Sequence, residues 1–341
     1  MSIFTPVSPE EASAWLARYD LGDLLELKGI TAGVENTNYF LTTTRGRFVL
    51  TLFERLPPQN VAIYLDLMAG LAQRGLPCPA PMASRAGSLL GELQRKPAAL
   101  VTRLPGRPVA TPAAAHCAAI GNFLGRMHRV AAEIDIHPVN PRSHEWYEQT
   151  ARAVAAHLDP DAHRLLAEAM ARLARRRDRL PRGVTHADLF RDNALFGDDG
   201  KLQGVIDFYF AAENNLLFDV AVAANDWCLA ADGVALDGQL TAALLHGYDA
   251  QRPLLAAERA AWREELCAAA LRFWLSRLFD HYQPRDGAVV GIKDPEPFRR
   301  ILAARAVDPQ PWFQPEPPRQ PGTASSPHRS TNSPCRPDGG G

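Results

Sequence analysis

Absences set the first limits on this 341-residue chain. No window approaches the ~20 consecutive apolar residues that span a bilayer. Residues Met1 to Glu10 lack the basic-then-apolar order of an export signal. Neither membrane insertion nor export is expected, and a cytoplasmic location is. Neither sign of charge is in excess, with 37 basic against 38 acidic side chains. No general field therefore draws nucleic acid or an anionic membrane, and any anionic ligand must be held locally. The five cysteines are odd in number, scattered, and never in C-x-x-C or Cys/His ligand spacing. They read as reduced thiols. The G-x-S-x-G elbow of serine hydrolases is missing as well. Beyond Pro309 aliphatic residues almost vanish among Pro, Ser, Gly and Arg, so residues 309–341 are expected to be a disordered tail. Nothing in the sequence suggests a protein partner.

What is there falls into two unequal parts. Ser8-Pro9-Glu10-Glu11 is a capping box that opens a short helix. Strand patterns follow at Leu24 to Ile30, Thr37 to Thr43 and Arg47 to Phe53, with a tight turn at Thr44-Arg45-Gly46. Pro58 to Arg74 has helical periodicity, and three more strands fit Ala80 to Arg85, Ser88 to Leu93 and Pro97 to Leu104. After Pro105-Gly106 helices dominate, including one continuous helix expected over Ala256 to Tyr282. The fold class is thus α+β: a small antiparallel-sheet lobe over 1–104 and a larger, mainly helical lobe over 105–308.

The chemistry concentrates in one loop and one hairpin. Asp188 and Asn193 stand five apart in the polar loop that runs from His186, and Asp207 follows a short apolar strand. A hairpin turned at Gly197 to Gly200 would bring Asp207 beside Asn193. Three oxygen-bearing side chains then converge, which is what phosphoryl transfer asks for: a carboxylate for the attacking hydroxyl and hard oxygen ligands for Mg²⁺.

His186-x-Asp188-x-x-x-x-Asn193 followed by Ile206-Asp207-Phe208 resembles the signature of the aminoglycoside-phosphotransferase-like kinases, distant relatives of protein kinases. The resemblance implies a bilobal protein-kinase-like fold with ATP in the cleft. It makes Asp188 the catalytic base, Asn193 and Asp207 the Mg²⁺ ligands, and His186 the brace of the loop. Asp219 matches the family's acid that tethers this loop. Gly33, Asn36 and Asn38 would lie over the phosphates, and backbone groups near Thr102 and Leu104 would hold adenine. One departure is plain: where the family carries a strand lysine for the phosphates, this chain has Thr51. That leaves the phosphates to Mg²⁺, backbone donors and the candidates Arg45, Arg47 or Arg55, and keeps a non-catalytic nucleotide binder open. Ala187 stands where glycine is common, and a right-handed backbone there would not need glycine.

Several stretches, among them Gly33 to Phe40, Phe48 to Glu54 and Asp219 to Cys228, resemble the homoserine kinase branch of this family. The implied substrates are ATP and an amino acid with a side-chain hydroxyl, so the pocket needs an anion or amide for the ammonium and a cation for the carboxylate. Asn225 and Asp226 are the candidates for the first, Arg272, Arg277 and Arg191 for the second, and Tyr209 offers a hydroxyl. Aminoglycoside, choline or a hexosamine remain alternative acceptors.

Overall fold

The computed structural model describes residues 4–31, 35–174, 180–283, 293–307 and 313. Gly33, the basic cluster at 175–177 and nearly all of the expected tail lie outside them. The described elements belong to one unit, Met1–Asp308.

Helix α1 (Pro9–Leu16) begins on the expected capping box: Glu11 N–H donates to Ser8 Oγ at 3.2 Å, and Ser8 N–H to Glu11 Oε2 at 2.8 Å. Strands β1 (Leu24–Ile30), β2 (Thr37–Thr43) and β3 (Gly46–Leu52) follow, then α2 (Pro58–Gln73), β4 (Gly91–Leu93) and β5 (Lys96–Thr102). They form one antiparallel sheet of five strands in the order β1-β2-β3-β5-β4. Alternate residues of β3 serve different ends. Leu50 and Leu52 enter a core with Trp15, Leu16, Tyr39 and Leu41, while Thr51 takes the other face. The strand expected over Ala80 to Arg85 is absent, with only Pro81 bridging Val101. Met82 N–H donates to Leu100 O and Thr102 N–H to Ala80 O around that bridge, and Pro81 between them has no amide to donate.

Beyond Pro105-Gly106 come α3 (Ala114–Ala131), α4 (His144–Val154) and α5 (Pro160–Ala174), then β6 (Arg182–Thr185), β7 (Ala194–Phe196), β8 (Leu202–Val205) and β9 (Ala212–Asn215). Helices α6 (Leu216–Trp227), α7 (Gly238–Gln251), α8 (Ala256–Ala260), α9 (Trp262–Tyr282) and α10 (Glu296–Val307) complete the unit. Glycines let α3 and α7 meet backbone to backbone: a Cβ at Gly121 would sit 2.0 Å from Leu244 O, and one at Gly247 2.2 Å from Ala118 O. The single helix expected over Ala256 to Tyr282 is broken at Ala261. Glu258 fixes the start of α8, its fully buried carboxylate accepting from Leu255 N–H at 3.0 Å and from Arg252 at 2.9 Å, and Ala261, with φ of −93° and ψ of 3°, leaves helical geometry between α8 and α9. Strand β9 was not expected either. Its sequence, Ala-Glu-Asn-Asn, has no strand propensity, and pairing with β6 makes it a strand.

No described helix is long and apolar enough to cross a membrane.

Candidate active site

The loop between β6 and β7 is held at both ends by α6. Asp219 and Asp226 are seven residues apart on that helix, two turns along one face. At the near end Asp219, fully buried, accepts from His186 N–H through Oδ2 at 2.7 Å and from Ala187 N–H through Oδ1 at 2.8 Å. At the far end Asp226 Oδ2 accepts from Arg191 N–H at 2.7 Å, and Trp227 Nε1–H donates to Leu189 O at 3.1 Å. Leu189 and Phe190 are buried below, with the Phe190 ring edge-on to Phe273 at 4.6 Å. A polar loop is thereby fixed on a hydrophobic floor.

His186 is the brace within the loop. Its ring is fully buried, and burial lowers its pKa, so the imidazole is neutral. Nε2–H then donates to Ile206 O at 3.0 Å while Nδ1 accepts from Asp188 N–H at 3.3 Å. Both protein partners are backbone groups, so the ring joins loop to hairpin and has no proton to trade.

Asp188 is partly buried, and its carboxyl is pushed up to about 8 by that burial, with the Arg272 charge opposing and the Asp207 charge adding to the rise. Asn193 Nδ2 donates to Asp188 O at 2.8 Å and to Asp188 Oδ2 at 3.2 Å. Those bonds spend the amide hydrogens and leave Asn193 Oδ1 as the acceptor face. Across the β7-β8 hairpin Ile206 N–H donates to Asn193 O at 2.9 Å, which sets Asp207 alongside. Asp207 has φ of 65° and its carboxyl is pushed up to about 6, first by burial and then by Glu35.

Among the described residues no group of three or more His, Cys, Asp or Glu is arranged to hold a metal. A protein-only metal cage is thus not on offer. Mg²⁺ does not need one, since it is bound through one or two protein oxygens plus substrate phosphates and water. The pair Asn193 Oδ1 and Asp207, with carboxyls whose raised pKa values call for a cation, fits that ion.

Ala187 corrects an expectation. Its φ is 62°, a left-handed conformation, because both its amide and that of His186 must aim at the two oxygens of one carboxylate. A side chain there costs roughly 1 kcal/mol. Ala187→Gly is accordingly expected to raise stability by ~1 kcal/mol; a melting temperature equal to or below that of the parent would refute this.

The other sequence-predicted residues separate clearly. Arg191 and Asp226, nominated for opposite ends of the substrate, pair with each other: besides the backbone bond, Arg191 Nε and Nη2 reach the carboxylate, both at 3.2 Å, and Nη1 donates to Ala110 O. Asn225 faces the core instead, donating to Leu266 O at 2.9 Å and accepting from Arg305 Nε–H at 2.9 Å. Arg277 donates to Asp294 O and lies over the Phe298 ring. The Thr102 amide donates to Ala80 O and its hydroxyl oxygen accepts from Ala80 N–H, at 2.9 Å each. Leu104 packs where Gly204 comes close. Arg45 is paired with Asp20 at the sheet's hairpin end.

At the family's lysine position, Thr51 is buried and donates to Asn38 Oδ1 across the β2-β3 register at 2.7 Å. Asn38 in turn reaches Asn36 O at 3.4 Å. Tyr209 meets Thr51 from the other side, its ring edge-on to Phe53 at 4.9 Å. Thr51 therefore ties the covering hairpin to the segment after Asp207.

Arg272 is different. It is 5% exposed, its guanidinium lies 4.0 Å over the Phe273 ring, and it lines a small cavity of about 20 Å³ with Ala187, Asn214, Arg142 and Tyr147. Arg142, Tyr147 and Asn214 were not foreseen, for no motif marks them. His128 was also missed. Its signal was present, a lone histidine among the apolar positions of α3: its Nε2–H donates to Asp219 Oδ2 at 3.0 Å and its Nδ1 meets Tyr248 OH at 2.8 Å.

Comparison with known proteins agrees with this geometry. The model of the phosphotransferase enzyme family matches residues 26–278. A homoserine kinase of Methylobacillus flagellatus is 52% identical over 304 residues, covering 89% of this chain and 94% of that protein. Another, from Cupriavidus necator, is 44% identical over 331 residues, covering 92% and 100%. Among solved structures, amicoumacin kinase hAmiN in complex with AMP-PNP, Ca²⁺ and Ami has a TM-score of 0.64 at 18% identity, covering 86% of this chain and 95% of that one. Choline kinase LicA from Streptococcus pneumoniae has a TM-score of 0.60 at 15% identity, covering 87% and 96%. The likeness of these structures shows the fold expected from the motif, that of the aminoglycoside-phosphotransferase-like kinases. With a match spanning most of the chain and relatives at these identities, the chain belongs to the phosphotransferase enzyme family.

Proposed function

We propose that this chain transfers the γ-phosphoryl group of ATP to the side-chain hydroxyl of L-homoserine, giving O-phospho-L-homoserine, a step toward threonine, in the cytoplasm. The observation that carries the acceptor is the 52% identity with a curated homoserine kinase over nearly the full length of both chains. Likeness of fold alone could not choose between acceptors, since solved neighbours include kinases named for amicoumacin and for choline.

Asp188 receives the acceptor hydroxyl and takes its proton as the oxygen–phosphorus bond forms. Its main contribution is orientation, since the loop's tethers to α6 hold the carboxylate fixed. Asn193 and Asp207 are the residues that would hold Mg²⁺, which supplies neutralising charge to the phosphates when bound. No lysine is needed at position 51 for that division of labour.

Incubation with Mg-ATP and L-homoserine, followed by ³¹P NMR, is expected to yield phosphohomoserine and ADP in equal amounts. Preference for choline, a hexosamine or an aminoglycoside at equal concentration would overturn the assignment. The pH profile is a second check. A protonated Asp188 cannot take a proton, and its carboxyl is raised, so kcat/KM should climb with pH along a limb at or below about 8. Higher Mg²⁺ concentration favours the ionised carboxylate and should move that limb downward. A profile flat from about pH 5.5 to 9 would count against Asp188 as the proton acceptor.

A further inference from the structure

Burying a guanidinium without an anion costs several kcal/mol. Arg272 makes no hydrogen bond or ion pair with any described residue, although only 5% of it is exposed; the anion in its field is the Asp188 carboxyl, whose pKa its charge lowers without a direct contact. The Phe273 ring 4.0 Å below offsets part of that cost. The other nominated arginines are all engaged: Arg191 with Asp226 and Arg277 with the Asp294 carbonyl. Arg272 differs from them in facing a cavity, and no Asp or Glu lines that cavity. A second cation, Arg142, lies on the same wall, held over the Trp146 ring at 4.6 Å. Asn214 adds a donor, because its Oδ1 already accepts from Asn215 N–H at 2.8 Å and its amide hydrogens point elsewhere. Ala187 links this cavity to Asp188 next in the chain.

We propose that Arg272 is the specificity residue for the acceptor, binding its carboxylate in this cavity, so that hydroxy amino acids are taken and amino alcohols without a carboxylate are refused. The proposal rests on the homoserine reading of the site and deepens it. An anion bound here meets a guanidinium whose hydrogen bonds are unspent, and guanidinium and carboxylate match in bidentate geometry. The cavity offers the acceptor's ammonium no carboxylate, so discrimination falls on the anion.

The test compares L-homoserine with 3-amino-1-propanol, which keeps hydroxyl and ammonium and lacks the carboxylate, in the parent, Arg272→Met and Arg272→Lys. The parent is expected to favour homoserine by about 100-fold or more in kcat/KM. Arg272→Met should raise the homoserine KM about 100-fold and reduce the preference to a few-fold, with Arg272→Lys between the two. Methionine fills similar volume, so the variant should stay folded, which its thermal melt checks. A homoserine KM within about 3-fold of the parent in a folded Arg272→Met protein would overturn the proposal, and so would a parent that uses both acceptors alike. A parent that never phosphorylates homoserine would instead overturn the functional reading.

Discussion

Asp188→Asn lowers kcat for homoserine phosphorylation by about 10³-fold and leaves nucleotide affinity within a few-fold of the parent. Asparagine is the informative replacement because its carbonyl can still accept from Asn193 Nδ2, as Asp188 Oδ2 does at 3.2 Å, so the loop keeps its shape. What disappears is a group that takes a proton. The same change should stabilise the metal-free protein. With its carboxyl raised from 3.8 to about 8, the folded state holds a proton that the unfolded chain has released between roughly pH 4 and 8. Stability from this residue therefore falls as pH rises through that window, and the full penalty is present above it. Allowing for partial exposure, Asp188→Asn is expected to gain about 2 kcal/mol at pH 8 and nothing near pH 4. Thermal melts in EDTA at both pH values check the sign. A variant that melts below the parent at pH 8, or that retains a tenth of its kcat, would remove Asp188 from its assigned role.

Such a gain would show that the site holds its carboxyls at a cost in stability, with the metal and substrate charges arriving later to offset it. The arrangement also explains what could be read in the sequence. His186, Asp188, Asn193 and Asp207 were legible because their roles demand fixed spacing within one loop and one hairpin, both local structures. Asp219 was legible for the same reason, lying just past that hairpin at the start of α6. Arg191 and Asp226 were not, since nothing in either segment announces that two residues 35 apart will neutralise each other. Asn225 looked available in the sequence, but helical spacing turns it toward α9 and α10. The sequence does not set Arg272 apart from Arg191 and Arg277, because the bonds of those two to Asp226 and to Asp294 O arise from the fold. The left-handed turn at Ala187 could not be foreseen from an alanine, the residue least disposed to adopt it among small side chains beside glycine. Strand β9 is decided by its partner β6, about 30 residues earlier, which local propensity does not report.

Asp219 supports the second large prediction. Its two carboxylate oxygens accept three hydrogen bonds, from His186 N–H, Ala187 N–H and His128 Nε2–H. The direction of the last is fixed from far away. Arg252 can only donate, and its Nη1 lies 3.0 Å from Tyr248 OH and 2.9 Å from the buried Glu258 carboxylate. Tyr248 O–H must then point at His128 Nδ1, 2.8 Å distant, which leaves the histidine's other nitrogen protonated and aimed at Asp219. A chain of donors thus runs from α8 to the catalytic loop. Asp219→Asn sets an NH₂ group against one of its three donors and is expected to cost 3 to 5 kcal/mol, read as a lower denaturant midpoint with unchanged slope. In the fraction that remains folded, kcat should fall by ~10²-fold, because an unfastened Ala187 amide lets Asp188 drift by the ångström that orientation cannot tolerate. Tyr248→Phe is the gentler companion: it frees His128 to change tautomer while sparing the packing, and should lower kcat about 10-fold with both KM values unchanged. A purely structural role would instead reduce stability in both variants and leave the kcat of the folded enzyme intact, and that result would separate the tether from catalysis.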